Sequence, residues 1–138
     1  MDRVRDAMVP DPKTLAADSP VQAAGELLVR PEVRAVFVCD DDRLVGVITR
    51  GTLVRDVVAA GREPTTTPVR DVAEPPRHTL DPELPLDQAF RFLEDNDLER
   101  VPVTEDGRLV GVLSRSSLQR RLAEDEPPAL DEDSGSAY

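Results

Sequence analysis

The chain has 138 residues, 17 basic against 28 acidic for a net charge of -11, and is 39% hydrophobic with only 3% aromatic content. That field repels phosphate backbones and anionic bilayers, so neither nucleic acid nor a membrane is an expected partner. One cysteine, Cys39, and one histidine, His78, exclude an internal disulfide framework and a thiolate zinc site. With no apolar run near the roughly 18 residues of a span, a soluble, cytoplasmic protein is the expectation.

In chain order, Asp2 to Met8 reads as a short helical turn halted by Pro10 and Pro12, followed by an extended piece at Thr14 to Ala16. A helix then opens at Ser19-Pro20, with Ser19 as the predicted N-cap and Pro20 at the first helical position. Val21, Ala24 and Leu28 mark its buried face and Pro31 ends it. Ala35 to Cys39 and Leu44 to Ile48 read as strands joined by a turn at Asp40-Asp41-Asp42-Arg43. The next helix runs from Thr52 towards Ala60, with an apolar stripe of Leu53, Val54, Val57 and Val58 and Gly61 as its C-cap.

Residues 61–68, Gly61 to Pro68, hold two prolines and almost nothing to bury, so they read as a linker between a first unit, 1–60, and a second, 69–123. The second unit repeats the first at an offset of 65 residues. Val4-Arg5-Asp6 returns as Val69-Arg70-Asp71, Thr14-Leu15 as Thr79-Leu80, and Pro20 as Pro85. Leu44-Val45-Gly46-Val47-Ile48-Thr49 returns as Leu109-Val110-Gly111-Val112-Leu113-Ser114. Asp106-Gly107 gives the second hairpin a stronger turn signal. Phe90, Phe92 and Leu93 replace Gly25, Leu27 and Leu28, so the second long helix is the more apolar. Residues 124–138, rich in acids with Pro127-Pro128 and Ser134-Gly135-Ser136, read as a solvated, disordered tail.

With both strand-to-helix junctions, the duplication and the strand Arg100-Val101-Pro102-Val103 in hand, the chain resembles a tandem pair of cystathionine-beta-synthase (CBS) domains, a Bateman module, over roughly Val4 to Leu122. The resemblance implies an α/β fold of two pseudo-twofold-related half-units, each a small sheet packed against helices. It also implies a non-enzymatic, stand-alone regulatory protein that binds AMP, ATP or S-adenosylmethionine in clefts between the halves. By motif position the first cleft would use Thr14, Val36, Phe37, Thr49, Arg50 and Thr52, and the second Thr79, Val101, Pro102, Ser114, Arg115 and Ser117.

Thr49 and Ser114 each end a strand and open a helix, where free N–H groups favour an anion and Arg50 or Arg115 could add charge-assisted bonds. The same residues read equally as ordinary N-caps contributing about 1 kcal/mol. The family's junction ends in an aspartate that grips both ribose hydroxyls, whereas Thr52 and Ser117 stand there in this chain. A neutral hydroxyl in that place forfeits about 1–3 kcal/mol of ribose recognition. Phe37, opposite Pro102 in the repeat, either stacks on a purine or fills the first cleft, which makes the second the expected open one. Gly46 and Gly111 permit close approach, of backbone or of ligand.

No catalytic constellation is legible, because a thiol dyad would need Cys39 to meet His78 of the other unit. Asp40-Asp41-Asp42 and Asp95-Asn96-Asp97 lack the spacing of a calcium loop, and no metal or required cofactor is expected. The expected partners are a small nucleotide, a second copy in a homodimer and a regulated protein. The competing reading is a dimerisation or protein-interaction scaffold with closed clefts.

Overall fold

The computed structural model describes residues 2–125. The first half comprises α1 (Val4–Ala7), β1 (Thr14–Ala16), α2 (Val21–Leu28), β2 (Val36–Asp40), β3 (Arg43–Ile48) and α3 (Arg50–Leu53), which continues as a π-helical turn over Val54–Val58. The second half opens with a 3-10 turn at Val69–Asp71. An isolated bridge at Leu80 takes the place of β1, and α4 (Leu86–Asp95), β4 (Arg100–Glu105), β5 (Arg108–Ser114) and α5 (Arg115–Asp125) follow. Thus α5 reaches Asp125, two residues into the segment read from sequence as tail; residues 126–138 lie outside the described residues. Among the described residues no helix is long and apolar enough to cross a membrane.

The strands form one sheet in the order β1-β2-β3-β5-β4. Two antiparallel hairpins, β2/β3 and β4/β5, meet only at Arg43 and Arg108, which occupy the same position of the repeat. There the Leu44 N–H donates to the Gly107 carbonyl at 3.1 Å and the Leu109 N–H to the Asp42 carbonyl at 3.0 Å. Each bond is the repeat image of the other, so the pseudo-twofold axis passes through this pair. The second hairpin turns on Asp106 at φ 53° and Gly107 at φ 82°, the left-handed pair that suits a two-residue loop. Asp41, at φ 56°, is the left-handed residue of the first.

The halves exchange their opening segments. Val4 is buried with Leu80, Leu86, Leu93, Val101, Leu113 and Leu118 of the second half, while Val69 and Val72 are buried with Val21, Leu28, Val36, Ile48 and Val57 of the first. Reciprocal backbone bonds pin the crossings: Val9 with Val112 at 2.8 and 3.0 Å, and Val47 with Glu74 at 2.8 and 2.9 Å. Burying each valine is worth about 1.5–3 kcal/mol, so each core depends on a segment from the other half. Gly46 and Gly111 admit these crossings. A Cβ on Gly46 would sit 2.6 Å from Ala73 Cβ, and one on Gly111 would sit 2.7 Å from Met8 Sδ and 2.9 Å from the Val9 carbonyl. The close approach is to the crossing segment of the other half, through a side-chain atom first and a backbone carbonyl next.

Two local expectations change. Ser19 does not cap α2; Pro20 holds the cap position without a side-chain bond. The first N–H groups of α2 instead donate to linker carbonyls, Val21 to Thr67 at 2.8 Å and Gln22 to Pro64 at 3.1 Å. The linker crossing the helix end therefore does what a cap side chain would do. The helix expected to start at Thr52 opens at Arg50, with Thr49 as its N-cap, and Gly61 follows it at φ 72°. Of its apolar stripe Val57 is buried, but Val54 and Val58 are 61% and 73% exposed.

Candidate functional site

The first junction is a closed hydrogen-bond chain. Thr49 Oγ1 accepts the Thr52 N–H at 3.3 Å, and Thr52 Oγ1 accepts the Thr49 N–H at 3.1 Å, a reciprocal capping box. The Thr52 hydroxyl donates to Glu74 Oε2 at 3.0 Å, and Arg55 Nη2 donates to the same oxygen at 2.7 Å. Since a carboxylate only accepts, the Thr52 proton points to Glu74, and the Thr49 hydroxyl is the donor in the 3.1 Å contact between the two threonines. Hydrogen bonds to Asp56 and then to Glu74 hold the Arg55 pKa above its ordinary value. Thr52 is 0% exposed. Its hydroxyl is wholly committed inside the protein.

At the second junction Ser117 N–H donates to Ser114 Oγ at 3.2 Å and the Ser114 hydroxyl donates to Ser117 Oγ at 2.8 Å. The repeat position of Glu74 is Val9 here, so no carboxylate closes the chain. Ser117 lies half-buried at a hollow of about 260 Å³ with Asp6, Val9, Arg120 and Arg121. Both junction arginines are held by carbonyls at or just past the end of the preceding helix. Arg50 donates to the Arg30 carbonyl at 2.6 Å, and Arg115 donates to the carbonyls of Leu98 and Leu93 at 3.1 and 3.2 Å and pairs with Asp97 at 3.5 Å. Cations at a helix C-terminus are favoured by its exposed carbonyls and dipole.

A cleft of about 480 Å³ opens between β2 and β4. Phe37, Val101 and Pro102 give it an apolar wall, and Thr49 and Val47 line it from the first junction. Phe37 is only 5% exposed, so it fills the base of the cleft while leaving space above it. The open cleft therefore lies beside the first junction rather than the second, because Phe37 lies down in the sheet core. Arg34, Arg77 and Arg100 line the rim with His78, Asn96 and a single carboxylate, Glu99. Among the described residues none of these three guanidinium groups has a hydrogen-bond or ion-pair partner. The His78 ring stands edge-on to Phe92 at 5.3 Å.

The structure thus gathers Phe37, Thr49, Val101 and Pro102 at one cleft. It places the other sequence-derived candidates elsewhere. Val36 is fully buried in the first core, Arg50 and Arg115 hold helix ends, and Thr52, Ser114 and Ser117 cap helices. Thr14 and Thr79 are exposed and do not line the cleft, Thr79 following the lining residue His78 and Thr14 standing beside a separate hollow of about 420 Å³ lined by Asp11, Asp41, Asp42 and Cys39. That hollow has the opposite charge, and burial followed by the nearby Asp42 pushes the Cys39 thiol pKa up, which keeps it protonated and unreactive. Among the described residues no three His, Cys, Asp or Glu side chains come together as a metal cluster would require.

The rim arginines escaped sequence reading for a definite reason. Arg34 matches Glu99 in the repeat and Arg100 matches Ala35, so aligning the halves hides charges that only the fold brings together. The available signal was their scarcity of acidic neighbours in space, which the chain order does not reveal.

Comparison with known proteins agrees with this architecture. The description "CBS domain" matches residues 4–59 and 69–124. Hypoxic response protein 1 of Mycobacterium tuberculosis is 28% identical over 125 residues, covering 90% of this chain and 87% of its own. A crystal structure of hypoxic response protein I with two coordinated zinc ions superposes at a TM-score of 0.75 with 27% identity, over 88% of this chain and 99% of that one. A crystal structure of CBSX2 in complex with AMP also gives 0.75, with 25% identity over 92% and 100%. The matched residues, the exchanged cores and the twofold-related hairpins together make this chain a member of the CBS-domain family, a tandem CBS pair of the Bateman type.

Proposed function

We propose that this CBS pair is a cytoplasmic regulatory module that binds an adenosine-containing ligand of the AMP, ATP or S-adenosylmethionine type in the cleft between β2 and β4, and that it performs no chemistry of its own. The observation that carries this reading is the cleft itself: an apolar slot of about 480 Å³ whose three rim arginines have no partner among the described residues, in a chain of net charge -11. A slot of that size and mixed character suits a nucleotide, whose base takes the apolar wall and whose phosphate takes the cations. The AMP held by CBSX2 supports the ligand class. In this reading Thr49, Phe37, Val101 and Pro102 contact the ligand, while Thr52 and Arg50 support the first junction behind Thr49.

A thermal-shift panel of AMP, ADP, ATP, S-adenosylmethionine, NAD and cyclic dinucleotides tests it. Ligand at 100 times its dissociation constant adds about 2.7 kcal/mol to stability, and a panel without a single shift rejects the sensor.

A second reading, a scaffold that pairs with another copy or with a protein, is favoured by a different surface. Val29, Val54 and Val58 are exposed around an apolar groove of about 360 Å³ floored by Val21, Leu53 and Val57. Such a contiguous patch is suited to association. Light scattering that returns only a monomer of 15.1 kDa would reject the homodimer.

A further inference from the structure

Thr49 is the residue that ends the first junction at the cleft, and it is exposed there. Its hydrogen-bonding groups can be followed one by one. The N–H donates to Thr52 Oγ1 at 3.1 Å, and the carbonyl accepts the Leu53 N–H at 3.2 Å. The hydroxyl oxygen accepts the Thr52 N–H at 3.3 Å, and the hydroxyl proton lies in the 3.1 Å contact with Thr52 Oγ1. A hydroxyl has one proton and two lone pairs, and a carbonyl has two lone pairs. Thr49 therefore keeps acceptor lone pairs and has no donor left to offer a molecule in the cleft.

The direction of the Thr49 proton is decided outside the cleft. Two threonine hydroxyls 3.1 Å apart can share a proton either way round. Glu74 removes that choice, because its Oε2 accepts the Thr52 proton at 3.0 Å and a carboxylate returns none. Arg55 Nη2 donates to the same oxygen at 2.7 Å and holds it in place. Thr52 is 0% exposed, so no solvent reaches it to supply another acceptor. The second junction lacks this device: Val9 stands at the repeat position of Glu74, and neither Ser114 nor Ser117 lines the cleft.

We infer that Glu74 is a positioning residue which, from outside the cleft, makes Thr49 an acceptor within it. The ligand group set against Thr49 is then a hydrogen-bond donor, a sugar hydroxyl or an amino group, and not an anion. The inference rests on the cleft being the ligand site and names what one corner of it selects. An anionic oxygen at Thr49 meets only lone pairs unless the bond to Thr52 is broken first.

Neutron diffraction from a deuterium-exchanged crystal of the full chain, without ligand, locates the two threonine deuterons. The expected result is a Thr49 deuteron between the two Oγ1 atoms and a Thr52 deuteron directed at Glu74. A Thr49 deuteron turned into the cleft overturns the inference whatever the cleft binds. Calorimetry with adenosine, 2′,3′-dideoxyadenosine and inosine reads the ligand side. The second compound lacks the sugar hydroxyls and the third has a carbonyl in place of the amino group, so the two donors are told apart. Loss of the donor that faces Thr49 should weaken binding about fivefold. Glu74→Ala lets Thr52 donate to Thr49 and turns the Thr49 proton outward, so that difference should vanish. Arg55→Ala removes the same ion pair but leaves the bond from Thr52 to Glu74, so the difference should persist. Equal binding of all three nucleosides by the parent, or a difference that survives Glu74→Ala, overturns the inference and leaves the adenosine reading standing. Loss of the difference in both variants makes Glu74 a structural residue only and also overturns it. No nucleoside bound, with the deuterons placed as expected, rejects the adenosine reading and upholds the acceptor that Glu74 sets.

Discussion

The two strand-to-helix junctions are copies in sequence and different devices in space. Both place a hydroxyl residue at the helix cap and another three residues on, and both send the following arginine back to carbonyls at or just past the end of the previous helix. What separates them is the segment that crosses from the other half. At the first junction it brings Glu74, which takes the Thr52 proton and pairs with Arg55. At the second it brings Val9, which leaves the Ser117 hydroxyl with no carboxylate to receive its proton. A duplicated site thus diverges through the strand laid across it, with its own motif nearly unchanged. The cleft follows the same rule, being rimmed by Arg77 and His78 of one crossing segment and by nothing from the other.

The strongest way to break the comparison is to act where the junctions are most alike. Gly46→Ala and Gly111→Ala each force a methyl group into a crossing segment, against Ala73 Cβ at 2.6 Å in one case and the Val9 carbonyl at 2.9 Å in the other. Ala73 Cβ cannot swing aside, whereas at Gly111 the nearest atom, Met8 Sδ at 2.7 Å, can and only the Val9 carbonyl is fixed, so Gly46→Ala should destabilise by about 3 kcal/mol, the upper end for overpacking, and Gly111→Ala by about 2 kcal/mol. Urea denaturation measures both. If one is tolerated and the other is not, the two crossings do not bear equally on their cores.

A smaller and unequal effect is expected three residues into each helix. Thr52→Val keeps the shape but, at a fully buried position, strips the half-exposed Glu74 and the Thr49 N–H of their partner, which should cost about 2 kcal/mol. Ser117→Ala removes a half-buried hydroxyl bonded to Ser114 and, at 3.5 Å, to Arg120, and should cost under about 1 kcal/mol. Equal losses in thermal or chemical unfolding would mean that Glu74 contributes nothing to the first junction.

Much of this fold is legible from the repeat and from hydrophobic spacing. The period places β2, β3 and α2 within a residue or two, and Asp106-Gly107 marks its own hairpin, because these depend on residues near one another in the chain. Ser19 shows where such reasoning ends: a residue of the preferred capping type is bypassed because Thr67 and Pro64, distant in sequence, supply the carbonyls that α2 needs. The site is less legible for the same reason. Phe37 and Pro102 were found as repeat partners, but Arg34, Arg77 and Arg100 become a group only when two halves fold around one axis. Thr52 stands at a ligand-contact position of the motif, and only the crossing segment of the other half shows that its hydroxyl bonds to Glu74.

The junction arginines give the finest discrimination between the halves. Arg115 bonds to the carbonyl of Leu93 in the last turn of α4 and to that of Leu98 just beyond it, adds Asp97, and is 24% exposed along its side chain. Arg50 makes one bond, to the carbonyl of Arg30 past the end of α2, and is exposed. A guanidinium screened from water interacts more strongly with helix-end carbonyls than one in full solvent. Arg115→Ala should therefore cost about 1 kcal/mol and Arg50→Ala about 0.3 kcal/mol, with Lys recovering part of the loss at Arg50 but little at Arg115, where two carbonyls need the forked donor. Amide exchange at the ends of α2 and α4 separates this from global destabilisation: Arg115→Ala should speed exchange at Asn96 and Leu98, which close the last turn of α4 onto Phe92 and Leu93, before it affects the sheet. If the sheet amides exchange faster in step with them, Arg115 holds the whole second core together and is no mere cap.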